Sequence, residues 1–436
     1  MGSLKLKIVL KDDRRYYTYG DVISGTVVVS VSDKADIRDI IVKFEGTSIT
    51  KNHRTVQRTD GQGQTRSEDR YVMIPINLIE IPLKLFPPPD IQHVLSSDEH
   101  TLTTGSYYYD FSIKIPDESS GFRLPPSFCH HALEDFATIE YAVVGVAHKT
   151  SGFSRTKSDF EKVNFHPSGT GLKIDSSHVS NRDGFLLPSF NTSLTRLKFE
   201  PIESTQRNFF KRLVSHKCIK IPFEYGMSFK SGESIQTEKG GTERIIQMGA
   251  NLKNQISIFL GIPITPEAFR GLFFENFADS KKEAHPDQAK IYITHINISL
   301  KSYVNYTAAV TAYDLHSQWT LRDEDCDYQL DLNDFTPADY HGEGDAFRKI
   351  SSKIEHLASR ENFHMLELPE QFFDCEIPDN LTQSFCAQNI DYNHVLSINL
   401  KVKIYPGDRT DKFYLSSNII LTNTNSEPAP PSYQPK

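Results

Sequence analysis

The chain has 436 residues, 38% of them hydrophobic and 11% aromatic, with 48 Lys and Arg against 56 Asp and Glu. That length suits two or three domains. The formal net charge of −8 argues against general nucleic-acid binding, and no apolar run approaches the ~20 residues of a membrane-spanning helix.

The opening MGSLKLKIVL alternates and forms no apolar block, so no signal peptide is expected. Gly2 lacks the Ser or Thr that myristoylation wants at position 6, where Leu6 stands. Leu4, Leu6, Ile8 and Leu10 face one way and Lys5, Lys7 and Lys11 the other, as in a strand with one buried and one wet face. Further β-rich runs follow at 25–32 and 37–46. Residues 50–70 are polar and contain Gly, and are expected to form a long exposed loop. Tyr109, Phe111, Ile113 and Ile115 then alternate with Asp110, Ser112 and Lys114, and another run covers 137–150.

Residues 166–195, rich in Ser, Gly and Asn, read as a join between two domains. Beyond it, β-rich runs occupy 219–229 and 289–310, and Leu396, Ile398, Leu400, Val402 and Ile404 repeat the period of two. Helical patterning is sparse; Phe347, Ile350, Ile354 and Leu357 predict one helix over 345–360. The expected fold is all-β. Two antiparallel β-sandwiches stand in tandem at 1–165 and 215–422, joined by a linker at 166–214. Long insertions fall around 230–288 and 322–372, and a disordered tail occupies 423–436.

Motifs for chemistry are absent. Cys129, Cys218, Cys326, Cys375 and Cys386 are scattered and odd in number, without a C-x-x-C pair, which speaks against a disulfide framework or zinc ribbon and for a reducing, cytosolic compartment. FCHHALED (128–135) gathers Cys129, His130, His131, Glu134 and Asp135. Neighbours on a strand face opposite ways and the H-E-x-x-H spacing is missing, so no metal site is expected. The acidic run 322–334 lacks the Gly and Glu positions of a calcium loop and reads as a solvated insertion. No nucleophile elbow, phosphate loop or dinucleotide loop occurs. The expectation is a protein with no catalytic residue, no cofactor and no metal.

Two stretches carry binding chemistry instead. QRNFFKRLVSHKCIK (206–220) holds Arg207, Lys211, Arg212, Lys217 and Lys220 and no acid. One reading is a strand edge whose charges discourage pairing; the other is a basic patch for acidic cytosolic tails of transporters or anionic lipid headgroups. The chain ends EPAPPSYQPK. Proline fixes φ and removes a donor, so this tail is stiff and extended and loses little entropy in an aromatic-lined groove. Pro430, Pro431 and Tyr433 form a PPxY pattern, which resembles the peptide that WW domains read.

YTYGDVISGTVVVSV (17–31) and IRDIIVKFEGTS (37–48) resemble the opening strands of arrestin-type N-terminal domains. The strongest likeness lies in 83–150: Gly105 before an aromatic strand, Ile115-Pro116, Leu124-Pro125-Pro126-Ser127-Phe128, then Ile139-Glu140-Tyr141-Ala142-Val143. FKSGESI (229–235), ITHINISLKSYVNY (293–306) and IPDNLTQSFCAQNIDYNHVLSINLKV (377–402) resemble the second domain more loosely. With the PPxY motif after that domain, the chain resembles the α-arrestins, the arrestin-related trafficking adaptors. The resemblance implies a non-enzymatic adaptor at the cytoplasmic face of the plasma membrane, endosomes or Golgi. It implies a WW-domain HECT ubiquitin ligase as partner, plasma-membrane transporter or receptor cargo, and ubiquitin as a modification of the adaptor itself. The alternative is an arrestin-fold coat or retromer-like scaffold that recruits no ligase. The ionic polar core of receptor-binding arrestins is not placed on this sequence, so activation by receptor phosphates is not carried over.

Overall fold

The computed structural model of the chain describes residues 4–12, 16–59, 61, 63–88, 100–117, 123–150, 157–167, 195–199, 219–230, 234–236, 242–277, 290–308, 310–340, 358–405 and 410–422. Its first half is built from β1 (Leu4–Leu10), β2 (Val22–Val31), β3 (Ala35–Thr59), β4 (Thr65–Phe86), β5 (His100–Leu102), β6 (Gly105–Lys114), β7 (Phe128–Ala132), β8 (Asp135–Lys149) and β9 (Lys157–Val163). Strands β1, β2 and β6 pair in that order; β4, β3, β8 and β7 form a second sheet, which β5 joins on β3 and β9 on β8. The alternation seen in the sequence decides what lies between the sheets. Ile8, Val27, Val29, Ile40, Val42, Phe44, Phe111, Ile113, Tyr141 and Val143 share one core. Slipping β3 by one residue would turn Ile40, Val42 and Phe44 to water, at about 1.5–3 kcal/mol each.

The second half is built from β10 (Thr195–Phe199), β11 (Ile219–Phe229), β12 (Ser234–Gln236), β13 (Thr242–Gln247), β14 (Ile256–Ile262), α1 (Pro266–Phe277), β15 (Lys290–Thr307), β16 (Thr311–Leu330), β17 (Thr336–Pro337), β18 (His364–Glu367), β19 (Phe385–Cys386), β20 (Ile390–Tyr405) and β21 (Thr410–Thr422). One sheet runs β10-β11-β14-β18-β17; the other runs β12-β13-β21-β20-β15-β16, with β19 on β20. Phe223, Tyr225, Ile258, Leu260, Ile296, Ile298, Leu396, Ile398 and Phe413 fill the space between them. The fold is all-β with two β-sandwiches in tandem, as the sequence patterning implies.

Three expectations need correction. Residues 50–70 are not a loop: β3 and β4 pair continuously to Thr59↔Thr65 as a two-stranded ribbon. Its outer end is wet on both faces, so it carries no hydrophobic period. Cross-strand polar pairs hold it instead, Thr55 Oγ1 to Asp69 at 2.9 Å and His53 to Asp69 at 3.1 Å. The stretches read as insertions supply framework: β14, with its short apolar run ISIFLGI, is buried at every position but the half-buried Phe259 and sits inside a sheet, paired on one side to β11 and on the other to β18. A helix within 230–288 was also missed. Thr265 Oγ1 accepts from the Ala268 N–H at 3.1 Å, and Pro266 follows it; a Thr cap with Pro at the first helical position was the available signal. The helix expected over 345–360 lies, but for its last three positions, outside the described residues.

Glu224 on β11 is buried at 1% exposure, beside Gly261 across the strand pair. The Phe363 ring rests on Gly261 so closely that a Cβ there would collide with it. Neither carboxyl oxygen of Glu224 reaches hydrogen-bonding geometry. Burial pushes the group up to about 7, against the pull of the Tyr340 hydroxyl. A carboxyl raised in the fold contributes stability that is complete below its unfolded value near 4.5 and is lost as pH rises through about 7. Glu224→Gln is therefore expected to stabilise the protein at pH 8 by about 3 kcal/mol, with the gap closing as pH falls. Urea unfolding at the two pH values checks this; a gap that ignores pH would show Glu224 to be ionised throughout.

Candidate functional site

The two sandwiches meet along a polar and aromatic seam. The inward face of β3 runs Val42 and Phe44, then Gly46, Ser48, Thr50 and Asn52, all buried. Where it turns polar, the other half begins. Ser48 Oγ donates to Asn389 Oδ1 at 2.6 Å, Asn389 Nδ2 donates to Thr50 Oγ1 at 3.2 Å, and Thr50 Oγ1 donates to the Thr307 carbonyl at 2.7 Å. A buried amide between two hydroxyls keeps its polar atoms matched, which burial demands. Further along, Gln383 Nε2 donates to the Pro167 carbonyl at 3.2 Å.

Each half also contributes a Ser-Phe pair. In the first, Ser127 Oγ accepts from the Phe165 N–H at 2.9 Å, and the preceding Leu124 N–H donates to Tyr19 Oη at 2.6 Å. In the second, Ser384 Oγ accepts from the Leu421 N–H at 3.0 Å. These hydroxyls pin the turns that carry Phe128 and Phe385, whose rings meet edge to face at 5.2 Å. Tyr392 stands 4.9 Å from Phe128, and Val304, Tyr306, Phe385, Ile390 and Tyr392 of the second half belong to the core of the first. The L-P-x-S-F pattern that carried the family resemblance is thus the anchor of the seam.

His130 lies in this seam. It is 6% exposed, while its neighbour His131 faces water, as alternation on a strand requires. His130 Nδ1 is 3.0 Å from His316 Nδ1, and its Nε2 is 3.4 Å from Asp314 Oδ2, which also accepts from Tyr306 Oη at 2.9 Å. A carboxylate only accepts, so Nε2 of His130 carries the proton and its Nδ1 accepts from His316. Burial lowers His130, against the pull of Asp314, and holds His316 down at about 4. His394, fully buried, packs on Tyr392 at 4.9 Å and meets Ser384 Oγ through Nδ1 at 2.9 Å; burial holds it at about 3. The imidazoles of the seam are held neutral by burial, with the Asp314 carboxylate accepting beside them. Sequence reasoning missed Ser48, Thr50, Asn389, Asp314 and His316. The signal for the first two was the switch of β3 from apolar to small polar residues at unbroken alternation.

The acidic run 322–334 ends β16 and enters a short 3-10 turn at Leu332–Asp334. His295 meets Asp325 at 2.8 Å and Asp323 at 3.3 Å. Among the described residues no cluster of three or more His, Cys, Asp or Glu is arranged to hold a metal ion, and Cys129, Cys326, Cys375 and Cys386 are not joined in disulfides with one another. No helix among them is long and apolar enough to cross a membrane. Pro430, Pro431 and Tyr433 lie outside the described residues, as do Arg207, Lys211, Arg212 and Lys217. The backbone of Lys220 pairs with Lys198 on β10.

Residues 6–164 match the family model described as Arrestin (or S-antigen), N-terminal domain. That span runs from β1 to just beyond β9, the whole of the first sandwich. Together with the all-β architecture it supports an arrestin-type fold for the first half of the chain. No curated protein matches the chain.

Proposed function

We propose that this arrestin-fold protein is an α-arrestin: an adaptor, not an enzyme, that brings a WW-domain HECT ubiquitin ligase to plasma-membrane transporter or receptor cargo and so promotes cargo ubiquitination and endocytic sorting. The observation that carries the reading is Pro430-Pro431-Ser432-Tyr433, a PPxY peptide placed in the sequence after two sandwiches and in a chain that carries no cofactor fingerprint. A rigid body grips one partner and a stiff tail holds another; tethering raises the effective concentration of the ligase near the cargo. The adaptor works in the cytoplasm, peripherally at the plasma membrane or at endosomal and Golgi membranes. One of its own surface lysines receives ubiquitin, since the tethered ligase has them within reach. Arg207, Lys211, Arg212, Lys217 and Lys220 form the basic stretch that receives acidic cargo tails or lipid headgroups.

Pull-down of the full chain by isolated WW domains tests the reading. Pro430→Ala with Tyr433→Ala removes the buried ring and loosens the polyproline conformation, and binding is expected to fall by more than about tenfold, the loss of one small hot spot. Capture of the double variant at the wild-type level would make the motif an accident of composition and favour a scaffold that recruits no ligase.

A further inference from the structure

The outer face of the three-stranded sheet has a charge pattern unlike the rest of the first half. Strand register sets its rows: Lys5–Ser30–Ser106, Lys7–Val28–Tyr108, Val9–Thr26–Asp110 and, between β2 and β6, Val22–Lys114. Lys11 extends the lysine row, its N–H donating to the Ser24 carbonyl at 2.9 Å. Lys5, Lys7 and Lys11 are all exposed, and none joins an ion pair among the described residues. The carboxylate in these rows, Asp110, accepts from Thr26 Oγ1 at 2.6 Å, and Lys114 pairs with Asp117 at 2.8 Å. The six-stranded sheet differs: on its outer face Lys43 meets Glu45 at 2.6 Å and Glu80 at 3.4 Å, and Lys162 meets Glu140 at 2.8 Å. Asp159 also reaches β1, accepting from the Ile8 N–H at 2.9 Å, but Lys5, Lys7 and Lys11 themselves have no carboxylate in ion-pair range among the described residues, unlike the lysines of the six-stranded sheet. The same face exposes apolar surface, Tyr108 at 69%, Val9 at 44% and Val22 at 41%.

We propose that this face docks on an anionic lipid bilayer. Alternate residues on a strand recur every ~6.8 Å, so Lys5, Lys7 and Lys11 form a straight row about 20 Å long. A rigid row of ammonium groups on one plane suits a planar array of phosphates, and the lysine stems let each head reach its own partner. The centre of the face holds Ser24, Thr26, Val28 and Ser30, small side chains that leave it flat, with no groove to hold an extended peptide. Tyr108 adds an amphipathic ring of the kind that settles at a headgroup boundary. The inference is independent of the tail and of the basic stretch at 206–220.

The test is co-sedimentation of the full chain with phosphatidylcholine vesicles, with and without phosphatidylserine. Wild-type protein is expected to bind the phosphatidylserine vesicles and to be released by salt. A lysine near an anionic surface is worth about fivefold in partition, so Lys5→Gln, Lys7→Gln and Lys11→Gln together should weaken binding about a hundredfold. The triple Arg variant should bind as wild type, and Tyr108→Ser should weaken binding without changing its salt dependence. Triple Gln protein that binds like wild type, or wild-type protein that ignores phosphatidylserine, would overturn the proposal. So would a triple variant that keeps vesicle binding but loses affinity for a polyglutamate peptide, which would assign the face to an acidic polypeptide.

Discussion

Replacing Tyr392 by Ala is expected to cost about 4 kcal/mol, the range for deleting a large buried aromatic side chain, and to separate the unfolding of the two halves. Tyr392 is 1% exposed. Its ring lies 4.9 Å from Phe128, 5.3 Å from His316, 5.7 Å from Phe385 and 4.9 Å from His394. Burial also pushes its hydroxyl up to about 12, the Ser302 and Ser317 hydroxyls moderating the shift. Since Phe128 comes from the first half and the other rings from the second, the cavity would open between the halves and remove contacts that couple them. The single tryptophan of the chain, Trp319, sits on β16 and reports on the second half. In wild type, tryptophan fluorescence and far-ultraviolet circular dichroism should give one coincident urea transition. In the Ala variant they should part, whereas Tyr392→Phe, which keeps the ring, should lose under about 1.5 kcal/mol. Coincident, unshifted transitions in the Ala variant would mean that the seam does not couple the sandwiches.

The second large effect is acid sensitivity. His394 and His316 are held at about 3 and about 4 by burial, His166 at about 4, and His130 is also lowered. A base whose folded value is depressed stays neutral in the fold while the unfolded chain takes up protons below about 6.5. Stability is therefore complete above 6.5 and is lost as pH falls toward the folded values. For fully buried His394 the loss from pH 6.5 to 5 is about 2 kcal/mol, and the half-buried His316 and His166 together add about as much after allowance for solvent. Geometry sharpens the effect: a proton arriving on His130 Nδ1 would face the His316 Nδ1–H, donor against donor. Glu224 works in the opposite direction, gaining about 2 kcal/mol over pH 7 to 5. Wild-type protein is thus expected to lose about 2 kcal/mol over that interval and Glu224→Gln about 4. Urea titrations at pH 7 and pH 5 measure both. A Glu224→Gln protein as stable at pH 5 as at pH 7 would show that these imidazoles protonate without penalty.

Period-two alternation in β1, β6 and β20 was enough to make the chain an all-β protein, because only one register of each strand buries its apolar set. The Gly, Pro and Ser-Phe positions of residues 83–150 were legible as an arrestin-type pattern, since they encode turns and buried rings that act locally. Other features had no local signature. The outer ribbon of β3 and β4 is wet on both faces, so cross-strand pairing, and not burial, makes it a strand. Residues 256–262 read as an insertion until β11 and β18 are seen on either side of β14. The seam is the clearest case. Ser48 and Asn389, or His130 and His316, lie far apart in the chain, and a lone serine, amide or imidazole is chemically unremarkable until folding brings its partner within 3 Å. The sequence by itself determined which faces are buried, because burial is written in the period of each strand. Only the tertiary structure decided which polar groups are buried together, because hydrogen-bond partners are chosen by distance in space, to which spacing along the chain is blind.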